Sequence, residues 1–568
     1  MLSRPLDSDW WRQAVIYQIY PRSFCDSNGD GIGDLKGITS KVPYLSSLGI
    51  DAVWLSPFYP SGLKDGGYDV SDYRDVDPRI GTLEDFDELV LALADVNIKI
   101  MVDIVPNHSS DEHVWFQNAL KAGKGSKERG KYIFRDGLGP NKDIPPTDWQ
   151  CAFGGSSWSP SGLNDGQWYY HMFDSSQPDW NWDNLEVQED FRETLRFWAN
   201  KGVSGFRIDV AHALVKDFSN YPNLPLPNWK TLCELREKKL KNGNKHITHP
   251  YMDRDEVQEI YKDWRKLFKE YDPPLFAVAE CWVAPDRKPL YASSEGLGQA
   301  FSFDIMLCNF NAKEFRDCIT HSLKDSQEAG SSTTWVLSNH DELRHVTRYG
   351  LPDVPNAGYP EFDDAFNEYK RSRFTNPPVD VETGLRRARA ATLMILGLPG
   401  STYIYQGEEL GLPEVIEISD EERQDPHFHR TKGECLGRDG CRVPLPWDSN
   451  RKNFGFGDDK KPHLPQPEWM KDYSVNLQKS GEETTLNFCR KALEIRKDLV
   501  NEEQLEWISQ DNQQVLYFSR PGNWEIIMNA SKNPINLPKD RKVLITSNGS
   551  SIEDGILPGE TTAWLSVE

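Results

Sequence analysis

Residues 205–210 read Gly205-Phe206-Arg207-Ile208-Asp209-Val210. Successive side chains of a strand point to opposite faces, so Arg207 and Asp209 emerge side by side at the strand's end. A guanidinium there would lower the carboxylate's pKa and hold it ionised, as a nucleophile or a metal ligand requires. The same pair is also what a buried structural ion pair looks like, so the surrounding chain has to decide.

Working outward, segments 14–20, 52–55, 98–105, 275–279, 333–338 and 401–405 share the character of 205–210. They are short, rich in β-branched or aromatic residues, and apolar on both faces. Between them lie stretches such as 83–94 and 191–200, with apolar residues three and four apart. Strand and helix in alternation predict a parallel α/β fold, and roughly eight repeats predict a (β/α)8 TIM barrel rather than a doubly wound sheet. Residues 107–172 break the rhythm: they are rich in Gly, Pro, Ser and Trp and lack helix periodicity. Beyond 490 the pattern turns to short alternating strands at 514–518, 524–528, 542–546 and 562–567. The expected division is a barrel built from 1–106 and 173–490, an irregular insert domain at 107–172, and an antiparallel β-domain at 491–568. A second long segment, 216–272, separates two barrel strands and carries a charged, helix-prone run at 233–241.

Composition narrows the function. Acidic residues outnumber basic ones, 88 to 65, for a formal charge of −23, which argues against nucleic acid and against an anionic membrane surface. The 19 Trp and 21 Tyr supply flat amphipathic rings that suit sugar faces as well as ordinary cores. The N-terminus is polar and acidic, unlike a signal peptide, and the most apolar window, 89–105, is interrupted by Asp95, Asn97, Lys99 and Asp103. Nine scattered cysteines, without CxxC pairs, read as reduced thiols of a cytoplasmic protein. The partner is expected to be a small neutral substrate, with the chain a monomer or small homo-oligomer.

Barrel chemistry sits at the C-terminal ends of strands. Asp69, Asp209, Glu280 and Asp341 fall there, accompanied by His108 and His340. Glycoside cleavage needs such an inventory: one carboxylate to attack the anomeric carbon, one carboxylic acid to protonate the leaving oxygen, and a further anion for the oxocarbenium-like charge. Glu280 follows Phe276-Ala277-Val278-Ala279 and precedes Trp282; partial desolvation there should raise its pKa, as an acid catalyst requires.

These motifs resemble the α-amylase superfamily of retaining glycoside hydrolases (family GH13), and within it the α-glucosidase and oligo-1,6-glucosidase group. The resemblance rests on the opening run from Trp10 to Phe24, on Val102-Asp103-Ile104-Val105-Pro106-Asn107-His108, on 205–210, on Ala279-Glu280-Cys281-Trp282, on Ser338-Asn339-His340-Asp341, and on Gly397-Leu398-Pro399-Gly400 with Tyr405-Gln406-Gly407-Glu408-Glu409-Leu410. It covers nearly the whole chain. It implies Asp209 as nucleophile, Glu280 as general acid/base and Asp341 as the third acid. It also implies Asp69, His108, Arg207 and His340 as the subsite that grips a terminal glucose, and Arg442 as the partner of Asp69 that enforces exo-action. The family's motif after this arginine is usually Thr-Pro-Met-Gln-Trp; Val443-Pro444-Leu445-Pro446-Trp447 departs from it. Phe153, Phe173, Trp158 and Trp168 are candidates to line the pocket from the insert.

Asp26-Ser27-Asn28-Gly29-Asp30-Gly31-Ile32-Gly33-Asp34 places oxygen donors at every second position, like the first part of an EF-hand loop, without the distal Glu or flanking helices. The resemblance implies a structural Ca²⁺ or Mg²⁺ held by Asp26, Asn28, Asp30, the Ile32 carbonyl and Asp34. Val210, after the nucleophile, goes with α-1,6 activity in the resembling group, and alanine or threonine there with α-1,4. The 216–272 segment and Ala211-His212 resemble an actinobacterial-type subgroup of mixed preference, so Val210 does not decide the linkage. The expected activity is release of glucose from short maltose- or isomaltose-type α-glucosides, with sucrose a further substrate. A glucosyltransferase or sucrose isomerase would use the same triad. A transporter heavy-chain ectodomain lacks the intact acids and has a membrane helix.

Overall fold

The computed structural model describes residues 9–217, 251–353, 369, 372–500, 502–509, 511–549, 552 and 555–567. The helix-prone run at 233–241 lies outside the described residues. Eight parallel strands form the central sheet: β1 (Val15–Ile19), β2 (Ala52–Leu55) and β3 (Lys99–Ile104), then, after the short insert strands β4 (Phe134–Asp136), β5 (Trp158–Pro160) and β6 (Gln167–Tyr170), β7 (Gly205–Ile208), β8 (Phe276–Ala279), β9 (Gly298–Ala300), β10 (Thr334–Val336) and β11 (Ser401–Tyr405). Their order, β10-β11-β1-β2-β3-β7-β8-β9, runs nearly around a closed barrel. At the seam between β9 and β10 a side chain takes over from the backbone ladder: Thr334 Oγ1 donates to the Ala300 carbonyl (3.1 Å) and accepts from Ser302 N–H (2.9 Å).

Period-two alternation explains the layering. Ile16, Trp54, Met101, Phe276, Val278 and Tyr403 belong to one apolar cluster. Their strand neighbours Tyr17, Val53, Leu55, Val102, Phe206, Ile208 and Ala277 belong to a second and larger one, together with the apolar stripes of the surrounding helices. The helix Leu83–Asp95 shows the local logic: Thr82 caps it, with Asp85 completing a capping box, and Phe86, Leu89 and Leu93 form its buried stripe.

The insert is more regular than its composition suggests. It holds the nine-residue helix Val114–Ala122 and a three-stranded antiparallel sheet ordered β4-β6-β5. After the long helix Thr485–Leu499 comes an antiparallel sheet ordered β12-β13-β14-β18-β16, from β12 (Glu506–Trp507), β13 (Val515–Arg520), β14 (Trp524–Asn529), β16 (Arg541–Thr546) and β18 (Thr561–Val567), with a small β15 (Ile535–Asn536) and β17 (Ile556–Leu557) pair beside it. This sheet is anchored to the helix Val381–Leu396 by Trp564 Nε1 donating to the Leu393 carbonyl (3.0 Å) and Thr562 Oγ1 to that of Ala390 (2.8 Å). The eight described cysteines are all free. Among the described residues no helix is long and apolar enough to cross a membrane.

Candidate active site

The C-terminal ends of the barrel strands and the insert enclose a cavity of about 720 Å³, a size that suits a small ligand. Asp209, Glu280 and Asp341 all line it. The parallel register sets Arg207 opposite Asp103 on β3 and Val278 on β8, so its guanidinium sits between acidic neighbours. Arg207 Nη1 donates to Asp209 (2.5 Å) and Asp103 (2.9 Å), and Nη2 lies 2.7 Å from Glu280 Oε2. The same Glu280 oxygen accepts from the Val210 N–H (3.0 Å), and Trp282 Nε1 donates to the other (3.2 Å). Val210 reaches this contact at φ +45°, a left-handed conformation unusual for a β-branched residue and a mark of imposed geometry.

One cation shared by three carboxylates changes the expected electrostatics. Burial pushes Asp209 well above the usual carboxylate range; Arg207 pulls the other way, while Glu280 and Asp103 add to the rise. Burial likewise pushes Asp103 up to about 7. The expectation that Arg207 alone holds Asp209 at low pKa is therefore corrected. Asp209 and Asp103 each hold a proton more tightly than a free carboxyl does, because burial outweighs the pull of Arg207.

Asp341 has the opposite balance. Burial alone would raise it, but Arg438 Nη1 (2.9 Å) and Arg442 Nη2 (2.8 Å) both reach its Oδ1, and it is held far below the usual range. His340 stands 3.1 Å from its Oδ2 and is kept neutral, its pKa driven down by burial and by the nearby arginines. His340 and Arg207 support the cavity from behind, His340 stacking on Tyr68 with ring centroids 5.1 Å apart.

His108 lines the cavity, its pKa pushed down to about 4 by burial. Phe153 and Phe173 line it too, 5.5 Å apart, with the Arg438 guanidinium 5.3 Å from the Phe153 ring. Trp158 and Trp168 do not line it: Trp158 packs on Tyr170, and Trp168 donates from Nε1 to the Lys142 carbonyl (3.0 Å). Trp149, which sequence reasoning passed over, takes that place beside Tyr251.

The pairing of Asp69 with Arg442 is not found. Asp69 is fully buried and does not line the cavity; it accepts from Ser61 Oγ (2.7 Å) and Asp65 N–H (3.2 Å). Asp65, four residues earlier, lines the cavity instead and pairs with Arg438 Nη2 (2.7 Å). Arg442 turns to Asp341 and to the His340 carbonyl (2.7 Å). Arg438 was missed by sequence reasoning although it joins Asp65, Asp341 and Asp425. Its signal was its place four residues before Arg442.

In the 26–34 loop, Asp26 accepts from the N–H groups of Asn28, Gly29 and Gly31, Asn28 from that of Asp30, and Asp30 from that of Ile32. Asp34 accepts from Ser27 and caps the helix Leu35–Ser40 through Gly37 N–H. These turns curl the backbone, but Asp26 Oδ1 and Asp34 Oδ1 each accept two of these bonds, which occupies both of their lone pairs. Among the described residues no three acidic, His or Cys groups are gathered as a metal site. The donor set fits a hard oxygen-seeking ion by chemistry and order, not by convergence.

The chain matches the α-amylase catalytic domain over residues 18–355 and 370–503. It is 34% identical to a probable α-glucosidase of Rhizobium meliloti, covering 86% of this chain and 83% of that one. It is 33% identical to the oligo-1,6-glucosidase of Bacillus cereus, covering 87% and 85%. The solved α-glucosyl transfer enzyme XgtA superposes with a TM-score of 0.81 at 30% identity, covering 98% of this chain and 99% of that one. Solved trehalulose and isomaltulose synthases superpose with TM-scores of 0.79 at 28% identity, covering 98% of this chain and 98–100% of theirs.

Proposed function

The chain belongs to the α-amylase family of glycoside hydrolases, and from that premise we propose that it is a retaining, exo-acting α-glucosidase that releases glucose from short α-glucosides. The observation that carries this reading is the single Arg207 guanidinium touching both Asp209 and Glu280. Carboxylates gathered that closely favour the separation of about 5–5.5 Å used in retention over the wider gap of about 6.5–9.5 Å that inversion needs for its water.

In this reading Asp209 attacks the anomeric carbon as Glu280 protonates the departing oxygen. Glu280, now ionised, takes the proton of the incoming water that cleaves the glucosyl-Asp209 ester. Asp341, kept anionic by its two arginines, accepts hydrogen bonds from the sugar and stabilises positive charge at the ring. His108 and Asp65 hold further hydroxyls. The Asp65–Arg438–Asp425 lattice, with Phe153, walls off the non-reducing side, so only a chain end fits. The 26–34 loop binds a Ca²⁺ or Mg²⁺ that stabilises the fold and takes no part in the chemistry.

A glucosyl transfer or sucrose isomerisation differs only in what attacks the intermediate, and the likeness to XgtA and the two synthases makes it the second reading. Product analysis on maltose, isomaltose, sucrose and trehalose separates them. Monosaccharides as the main products support the hydrolase; isomers or longer glucosides support transfer.

A further inference from the structure

Behind His108 lies a charged group that the proposed chemistry does not use. Lys216 and Asp179 are completely buried, with Lys216 Nζ 2.7 Å from Asp179 Oδ2. Taking two charges out of water is costly, and a buried pair is often no more stabilising than an apolar one, so stability alone does not account for it. Its placement does. Three segments meet there: the exit of β3 with Asn107 and His108, the segment around Asp179 that bridges back to His108, and the exit of β7 that ends in Lys216.

Lys216 Nζ also donates to Asn107 Oδ1 (2.5 Å). An ammonium has donors only, so the Asn107 amide is forced to present its oxygen to Lys216. Its Nδ2 then faces Asp179 Oδ2 and His108 Nδ1, each at 3.1 Å. Asn107 and Gln177 each set an amide N–H donor 3.1 Å from one ring nitrogen, and each also donates to a carboxylate, so the acceptor decides. Only Nε2 has one within reach, the Tyr68 carbonyl at 3.2 Å, which places the ring proton there and leaves Nδ1 to accept from Asn107. The Gln177 amide at Nε2, 3.1 Å away, donates to Asp65 Oδ2 (3.0 Å).

We propose that Lys216, with Asp179, is a positioning residue that fixes the Asn107 amide and through it the tautomer of His108, so that His108 carries its one N–H on Nε2, shared between the Tyr68 carbonyl and the sugar. The consequence for the sugar rests on the reading of the cavity as a glucoside site; the tautomer does not.

The test is the Lys216→Met/Asp179→Asn double variant, which leaves no unpaired buried charge. In it the amide introduced at position 179 donates to Asn107 Oδ1, Asn107 turns over, and His108 is protonated on Nδ1. Histidine-selective ¹⁵N spectra, with His108→Gln for assignment, read this without substrate. The expected result is Nε2–H in the wild type and Nδ1–H in the double variant. A p-nitrophenyl α-glucoside kcat/KM at least about tenfold lower should accompany it, with Tm within a few degrees. A wild type protonated on Nδ1 overturns the proposal, and this is readable even if the double variant fails to fold. A well-folded double variant with unchanged kcat/KM and unchanged tautomer also overturns it, leaving the pair purely structural. The expected tautomers in a protein inactive on every α-glucoside would uphold the positioning role and reject the glucosidase reading instead.

Discussion

Arg207 Nη2 stands 2.7 Å from Glu280 Oε2 while its Nη1 holds Asp209. The two carboxylates proposed for catalysis thus share one cation with a third acid, Asp103, which lies beneath them and accepts from the Tyr68 hydroxyl (3.1 Å). Each negative neighbour makes it harder for the others to lose a proton.

Asp103→Asn tests this coupling. Removing one negative charge favours ionisation of Asp209, so the acidic limb of the pH profile of kcat/KM should move to lower pH, by about one unit. An unmoved profile, or one displaced to higher pH, would refute the shared-cation account.

Asp65→Ala should lower kcat/KM by about 10- to 100-fold, the worth of one or two charged hydrogen bonds, mostly through KM. Asp69→Asn should leave KM near normal because Asp69 is buried and does not line the cavity. The reverse ranking in maltose kinetics would restore Asp69 to the subsite.

Asp69 should mark the pH dependence of stability. Its folded pKa is raised from 3.8 to about 6, chiefly by burial. The folded state therefore binds the proton more tightly, and stability is lost as pH rises between those values, by about 3 kcal/mol at most. The Asp69→Asn variant has no such loss. Its Tm relative to wild type should climb from pH 4 to pH 7; a difference independent of pH would contradict the assignment.

Calcium should raise Tm, and EDTA lower it, with kcat unchanged. Asp30→Ala should abolish the response. A Tm indifferent to both would show that the 26–34 loop is held by its own hydrogen bonds alone.

The barrel was legible because most of its strands are dense in branched and aromatic residues. β9 was not: Gly298-Gln299-Ala300 is three residues long with no β-branched side chain, and it owes its place to pairing with β8 and to Gln299 Nε2 reaching Ser401 Oγ (3.0 Å). The helix Val114–Ala122 hid because Val114 is exposed and only Phe116 and Ala119 are buried along it. The three catalytic candidates stood out at strand ends, a position that local pattern reveals. Asp65 and Arg438 did not. Gly66 and Gly67, at φ +61° and +112°, reverse the chain between Asp65 and Asp69, and alternation cannot say which acid the turn delivers to the cavity. Arg438 meets its three carboxylates only through tertiary contacts between distant loops.

The most direct test of the central claim is the anomer released first. Proton NMR of p-nitrophenyl α-glucoside hydrolysis, recorded before mutarotation, should show α-glucose, with Asp209→Asn folded at the wild-type Tm and at least about 10³-fold slower. A first product of β-glucose, or an Asp209→Asn variant with near-normal turnover, would contradict retention through Asp209.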